Sequence, residues 1–152
     1  VVPWKNHALG EVPEDYYSIP LGQAVTRREG ADLTILTYGT MVHVALATVE
    51  DTGLDAEIID LRTLIPLDLE TIEASVRKTG RCIILHEATL TSGFGAELAA
   101  LVSDACFYHL EAPVTRVAGY DVPYPHANEW DYFPGPARLE KAMKKTMEAS
   151  YG

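Results

Sequence analysis

The sequence predicts a three-layer α/β domain, a mostly parallel open sheet of about five strands with helices on both faces. Three observations carry this. Short runs rich in β-branched and aromatic residues alternate four times with segments whose apolar residues recur at helical spacing. The 152 residues suffice for one domain with one proper core. Hydrophobic residues make up 47% and charged residues 22% of the chain, a balance too apolar for intrinsic disorder.

Residues 1–22 carry Pro3, Pro13 and Pro20 among Trp4, Tyr16, Tyr17 and Ile19, without a usable period. They predict an extended N-terminal arm or interdomain linker. Burial of those rings favours a strap laid across a surface over a free tether. The domain proper is placed at 23–152. Residues 22–27 predict an edge strand, where an arginine is tolerated.

Residues 33–38 read as a buried strand that turns at Gly39. Met41, Val44, Ala45 and Val49 then mark a helix ending at Gly53. Residues 56–61 form the next strand. Pro66 interrupts the chain, and Asp68 caps a helix whose Leu69, Ile72 and Val76 face one way before Gly80. Residues 82–86 are the third strand of the alternating series, and residues 96–106 a helix striped by Leu98, Leu101, Val102 and Ala105. Residues 114–118 make the fourth, ending at Gly119. After a loop over 120–136, Leu139, Ala142, Met143 and Met147 line a final helix. Its Lys141, Lys144 and Lys145 favour the negative end of the helix dipole.

Twelve Lys and Arg against 22 Asp and Glu leave a net charge of −10. That field repels nucleic acid and anionic lipid and favours basic partners. Charges break every apolar run well short of the roughly 18 residues a membrane span needs. Cys82 and Cys106 fall on a buried strand and at the end of an apolar helix, where a thiol acts as a small hydrophobe. Neither a disulfide framework nor a metal spacing appears, which favours a reducing compartment. The start Val1-Val2-Pro3-Trp4 has no initiator Met and no signal-peptide pattern, as expected of a cut or processed chain.

In an open parallel sheet, ligands gather beyond the carboxyl ends of the strands. Residues 38–40, 61–63 and 86–88, the last running into 91–95, are expected there. The turn Gly93-Phe94-Gly95, opening a helix, could offer backbone N–H groups to an anion. A tight turn and close helix–sheet packing explain the same glycines, and neither GxGxxG nor the P-loop pattern is present. A free-standing nucleotide- or phosphate-binding regulatory module therefore remains an alternative. His86 and Glu87 point to opposite faces of a strand, which favours a hydrogen-bonded structural role. His7, His43 and His109 have no partner at metal-ligand spacing. No serine sits in a GxSxG elbow and neither cysteine has a low-pKa setting, so no catalytic, cofactor or metal ligand is assigned. The long proline-stiffened loop carries Tyr120, Tyr124, His126, Trp130, Tyr132 and Phe133. Such aromatic enrichment predicts contact with another domain or subunit.

Several strings now become specific: Thr37-Tyr38-Gly39-Thr40, the segment Asp60 to Asp68, Lys78-Thr79-Gly80-Arg81, His86-Glu87-Ala88 with Gly93-Phe94-Gly95-Ala96-Glu97, Leu110-Glu111-Ala112-Pro113, and Pro123-Tyr124-Pro125-His126-Ala127. Together they closely resemble the C-terminal, transketolase-like domain of the β subunit of 2-oxo acid dehydrogenase decarboxylating components. The His86-Glu87 pair, Gly119-Tyr120-Asp121 and the run Glu129 to Pro136 are most like the branched-chain (2-oxoisovalerate) enzymes; pyruvate and acetoin dehydrogenases are the alternatives.

The resemblance implies an oxidoreductase component of branched-chain amino acid catabolism. The whole enzyme, a heterotetramer of two α and two β chains, decarboxylates 3-methyl-2-oxobutanoate and related 2-oxo acids and acylates a lipoyl group. In that family the thiamine diphosphate contacts, catalytic histidine and potassium site lie in a preceding domain. This chain alone is therefore expected to be inactive and not to bind the cofactor. The resemblance further implies docking of the basic subunit-binding domain of the dihydrolipoyl acyltransferase core on acidic residues. Glu111 is the position carried over, with Asp104 as its companion. The expected compartment is the cytoplasm in a bacterium or archaeon and the mitochondrial matrix in a eukaryote.

Overall fold

In the computed structural model, Glu11 and residues 13–149 are described. The first ten residues of the predicted arm, Trp4 and His7 among them, lie outside the described residues. The elements in order are β1 (Val25–Arg28), β2 (Leu33–Thr37), α1 (Met41–Thr52), β3 (Ala56–Asp60), α2 (Leu69–Thr79), β4 (Cys82–Thr89), α3 (Phe94–Cys106), a 3-10 turn (Phe107–His109), β5 (Thr115–Gly119), α4 (Glu129–Tyr132) and α5 (Pro136–Glu148).

The strands form one sheet in the order β1-β3-β2-β4-β5. All neighbours are parallel except β1, which runs antiparallel to β3 at one edge. Every residue of β2 and β3 is buried, the pattern of strands covered on both faces. One core, with Ile35, Ile58, Ile83 and Leu85, packs against Ala45 and Val49 of α1 and Leu139 and Met143 of α5. The other, with Leu36, Ile59 and Ile84, packs against Ile72 and Val76 of α2 and Leu98 and Val102 of α3. Alternation along each strand sends successive side chains to the two cores. From β2 the chain steps outward to β3, then crosses to β4 on the other side of β2. The order therefore reverses between β2 and β4, where a ligand crevice is expected at the carboxyl ends.

Asp68 caps α2 as expected, its carboxylate accepting from Thr71 N (3.1 Å) and Thr71 Oγ1 (2.9 Å). The same carboxylate accepts from Ala24 N at 2.9 Å, so the cap also anchors the chain entering β1. Polar residues stitch α2 to the sheet. Thr34 Oγ1 lies 2.8 Å from both Ser75 Oγ and Thr79 Oγ1. Ser75 and Lys78 both donate to the buried carboxylate of Glu57 on β3.

The structure moves several predicted boundaries. β4 continues three residues past His86 to Thr89, because Thr89 pairs with Gly119 across an irregularity in the β4–β5 ladder. α3 begins at Phe94 and so takes in Gly95. The predicted loop over 120–136 contains the one-turn helix α4 and gives way to α5 at Pro136, where a first-turn proline sacrifices no helical hydrogen bond. In the arm, residues 13–20 have no regular structure, and Tyr16, Tyr17, Ile19 and Leu21 are exposed. Gly22 N donates to Thr63 Oγ1 at 2.9 Å, where the arm meets the carboxyl end of the sheet.

Candidate functional site

Toward the carboxyl end, within β4 and just past the last β2–β4 pair, lies His86. Its residue is fully buried and both ring nitrogens lack a hydrogen-bond partner. This corrects the expected hydrogen-bonded role. The cause is local: the side chain points under the first turn of α3, where the nearest groups are glycine backbone. A methyl group built on Gly95 would stand 2.5 Å from His86 Cδ2 and closer still to Nε2. One built on Gly93 would overlap the Thr89 carbonyl oxygen and lie 2.9 Å from His86 Cε1. Both glycines are thus accounted for by close approach of helix to strand. Tyr38 stacks parallel to the imidazole at 6.1 Å. Burial, with a smaller contribution from the Arg116 charge, lowers the His86 pKa, so the ring stays neutral near pH 7.

The β4–α3 turn is held from β5 and the segment after it. Asp121 accepts from Thr91 N (2.8 Å) and Thr91 Oγ1 (2.6 Å). Those two bonds, the side-chain one foremost, hold its carboxyl below the ordinary range. Arg116 donates to the Leu90 carbonyl at 2.7 Å. Ser92 takes the left-handed conformation, φ 60°, that the turn requires. Outside α3's first turn runs a groove lined by Ile65, Pro66, Leu67, Phe94 and Leu101. Most of its lining is apolar, and the one charged residue that lines it is Glu97, whose carboxylate opposes an anion.

The aromatic loop divides into inward and outward members. Tyr132 is buried, and its ring meets Tyr124 at 5.4 Å and Phe133 at 5.2 Å, both edge-on. His126 packs on Tyr124 at 5.0 Å. The Tyr124 hydroxyl donates to Glu129 at 2.5 Å, and that bond, with burial, pushes the phenol up to about 12. Arg138 lies 4.2 Å over the Tyr120 ring and donates to the Ala118 carbonyl at 2.6 Å. Tyr120, Val122 and Trp130 face outward, Trp130 being 65% exposed. The self-packed rings hold the loop and leave Trp130 and Val122 outermost, with Tyr120 half-exposed against Arg138.

The opposite, amino end of the sheet holds Glu111. Arg81 pairs with its carboxylate at 2.7 Å, and Glu111 N donates to the Gly80 carbonyl at 2.7 Å. Its side chain is nevertheless 59% exposed, and Asp104 on α3 is exposed beside the same end. Phe107 and Tyr108 also stand here, in the 3-10 turn, and sequence reasoning did not single them out. The one available signal was three consecutive ring-bearing residues, Phe107-Tyr108-His109, directly after a helix.

Among the described residues no three His, Cys, Asp or Glu side chains gather as a cation site. Cys82 and Cys106 are buried, and desolvation raises both thiols, so neither is a poised nucleophile. No helix of the described residues is long and apolar enough to cross a membrane.

Residues 22–139 match the family described as "Transketolase, C-terminal domain". The chain belongs to that family. This transketolase C-terminal domain is 65% identical over 148 residues to the 2-oxoisovalerate dehydrogenase subunit beta of Pseudomonas aeruginosa, covering 97% of this chain and 42% of the relative. It is 48% identical to the mitochondrial 2-oxoisovalerate dehydrogenase subunit beta 2 of Arabidopsis thaliana, covering 93% of this chain and 40% of that one. The chain thus spans about two fifths of the length of these relatives. Among solved structures it resembles a split-gene transketolase described as an inactive beta4 tetramer, with TM-score 0.73, 25% identity, 94% of this chain and 47% of the other. The five-stranded, mostly parallel sheet with helices on both faces is the transketolase C-terminal architecture expected from the sequence.

Proposed function

We propose that this transketolase C-terminal domain is the assembly domain of a branched-chain 2-oxo acid dehydrogenase β subunit. The observation that carries this is identity of 65% maintained over 97% of the chain with a 2-oxoisovalerate dehydrogenase β subunit. In this reading the whole enzyme is a thiamine diphosphate-dependent oxidoreductase. It decarboxylates 3-methyl-2-oxobutanoate and related 2-oxo acids and passes the acyl group to a lipoyl acceptor. Its partners are an α subunit, a second β subunit and the basic subunit-binding domain of an acyltransferase core. Such an enzyme works in the cytoplasm of a bacterium and in the matrix of a mitochondrion.

In this reading the cofactor is held by the preceding domain: among the described residues no three His, Cys, Asp or Glu side chains gather for a cation that would accompany its diphosphate, and the one charged side chain lining the groove at α3's first turn is the Glu97 carboxylate, which opposes an anion. What the domain contributes is surface. The outward face of the aromatic loop, after β5, and the exposed arm side chains Tyr16, Tyr17, Ile19 and Leu21, which lead into β1 at the other edge of the sheet, supply apolar area. Exposed apolar area of this kind marks an interaction site. It is assigned to the preceding domain and neighbouring subunits. Glu111 and Asp104, at the amino end, are assigned to the basic domain.

The test is made on a complete β subunit carrying this domain, assembled with its α subunit. Release of CO2 from 3-methyl-2-oxobutanoate and from pyruvate is compared with a soluble oxidant as acceptor. A kcat/KM for the branched substrate at least about tenfold higher is expected, a ratio within reach of apolar pocket discrimination. A preference for pyruvate contradicts the branched-chain assignment.

A further inference from the structure

Phe107 and Tyr108 stand on the surface in a way that neither the fold nor the reading above uses. The two rings touch edge-on, 5.3 Å between centroids, yet Tyr108 is 94% exposed and Phe107 67% exposed. Both belong to the short 3-10 turn that follows α3, and neither is part of the two cores. Cys106, immediately before them, is fully buried and fixes the base of the turn. The pair is therefore a knuckle of about two rings' area on a rigid support. Rigid aromatics lose little entropy on binding, and such rings are the commonest anchors of protein interfaces.

The surrounding charges select the partner. Asp104 lies one helical turn before Tyr108, and Glu111 three residues after it, both exposed. Asp104 makes no ion pair among the described residues, and Glu111 keeps most of its side chain in solvent despite Arg81. The other cations nearby are already engaged. Arg77 is paired with Glu73 and bonded to the Ala105 carbonyl, and Lys78 is paired with Glu57 and Glu29. A second copy of this chain, itself carrying −10, would bring Asp104 and Glu111 against like charges in a two-fold contact.

We infer that Phe107 and Tyr108 form the apolar anchor of a docking site for a basic protein domain, with Asp104 and Glu111 as its acidic rim. The inference rests on the reading that the acyltransferase's basic subunit-binding domain docks at this end, and it names the side chains that hold that domain once docked. The division of labour is physical. Rim charges act at long range and set the association rate, which salt weakens. A desolvated aromatic anchor sets the dissociation rate and is insensitive to salt.

The two are separated with the complete α/β enzyme and the purified basic subunit-binding domain, by measuring association and dissociation rates at low and moderate salt. Phe107→Ser/Tyr108→Ser is expected to raise Kd at least about fivefold at both salt levels, chiefly through faster dissociation. Glu111→Lys is expected to slow association, most at low salt. Sedimentation confirms that each variant assembles with the α subunit. A rise in Kd below fivefold for the serine pair, with Glu111→Lys still slowing association, overturns the anchor and leaves the docking reading standing. Unchanged rates in both variants overturn the anchor and remove this end of the sheet as the docking site.

Discussion

Gly95→Ala is expected to lower the stability of the domain by about 3 kcal/mol, even though alanine is the better helix former by about 1 kcal/mol. The added methyl has no room. Its position lies inside the contact distance of His86 Nε2 and Cδ2, and the imidazole is held by the sheet below it and Tyr38 beside it. Relief requires α3 to lift from β4, which opens the core around Leu98, Val102 and Ile84. Thermal unfolding should fall by about 6–12 °C, taking about 2–4 °C per kcal/mol for a chain of this size. The cause is checked by a double-mutant cycle with His86→Ala. Removing the imidazole should make the alanine at position 95 nearly harmless, so the two changes together cost less than their sum. Strict additivity would show that the clash lies elsewhere.

Lys78→Met is expected to cost about 2–3 kcal/mol, close to the range for a hydrogen bond to a charged group. Glu57 sits on β3, one strand in from the edge of the sheet, with only 3% of its surface exposed. Its carboxylate is balanced by Lys78, with Ser75 as a further donor. Removing the ammonium leaves a buried carboxylate with a single hydroxyl for company, which is the costly way to break a buried pair. The ammonium itself is 45% exposed, and water entering from that side keeps the loss below that of a fully enclosed pair. Urea unfolding measures the effect. In Lys78→Met/Glu57→Leu most of the loss should return, since an apolar pair satisfies the same space. A single-variant cost under about 0.5 kcal/mol would show that solvent already satisfies Glu57.

Much of the fold could be read from the residues because its central strands are covered on both faces. Ile35, Ile58 and Ile84 stand in runs too apolar and β-branched to be anything but buried strand, and Gly53 and Gly80 end α1 and α2 in the left-handed conformation that glycine favours. Local chemistry also placed the Asp68 cap. What was not readable depends on contacts distant in sequence. β4 outlasts its apolar run because Thr89 finds Gly119, 30 residues later. His86 has no partner because glycines, and no polar side chains, face it from α3. Within the aromatic loop, Tyr132 and Trp130 look equivalent in sequence, but the single turn of α4 buries one and exposes the other. Phe107 and Tyr108 would pass for core residues on composition; only the 3-10 turn that ends α3 places them outside.

The proposed assembly role has this domain work through the surfaces at the two ends of its sheet, with the reaction's steps carried by side chains outside it. Its most direct test is amide hydrogen exchange over residues 120–133, compared between this chain by itself and the assembled α/β enzyme. Exchange at the outward segments around Tyr120, Val122 and Trp130 should slow by at least about tenfold on assembly, as covered backbone loses access to water. Equal rates in the two states would contradict the account, because the most aromatic face of the molecule would then be covered by nothing.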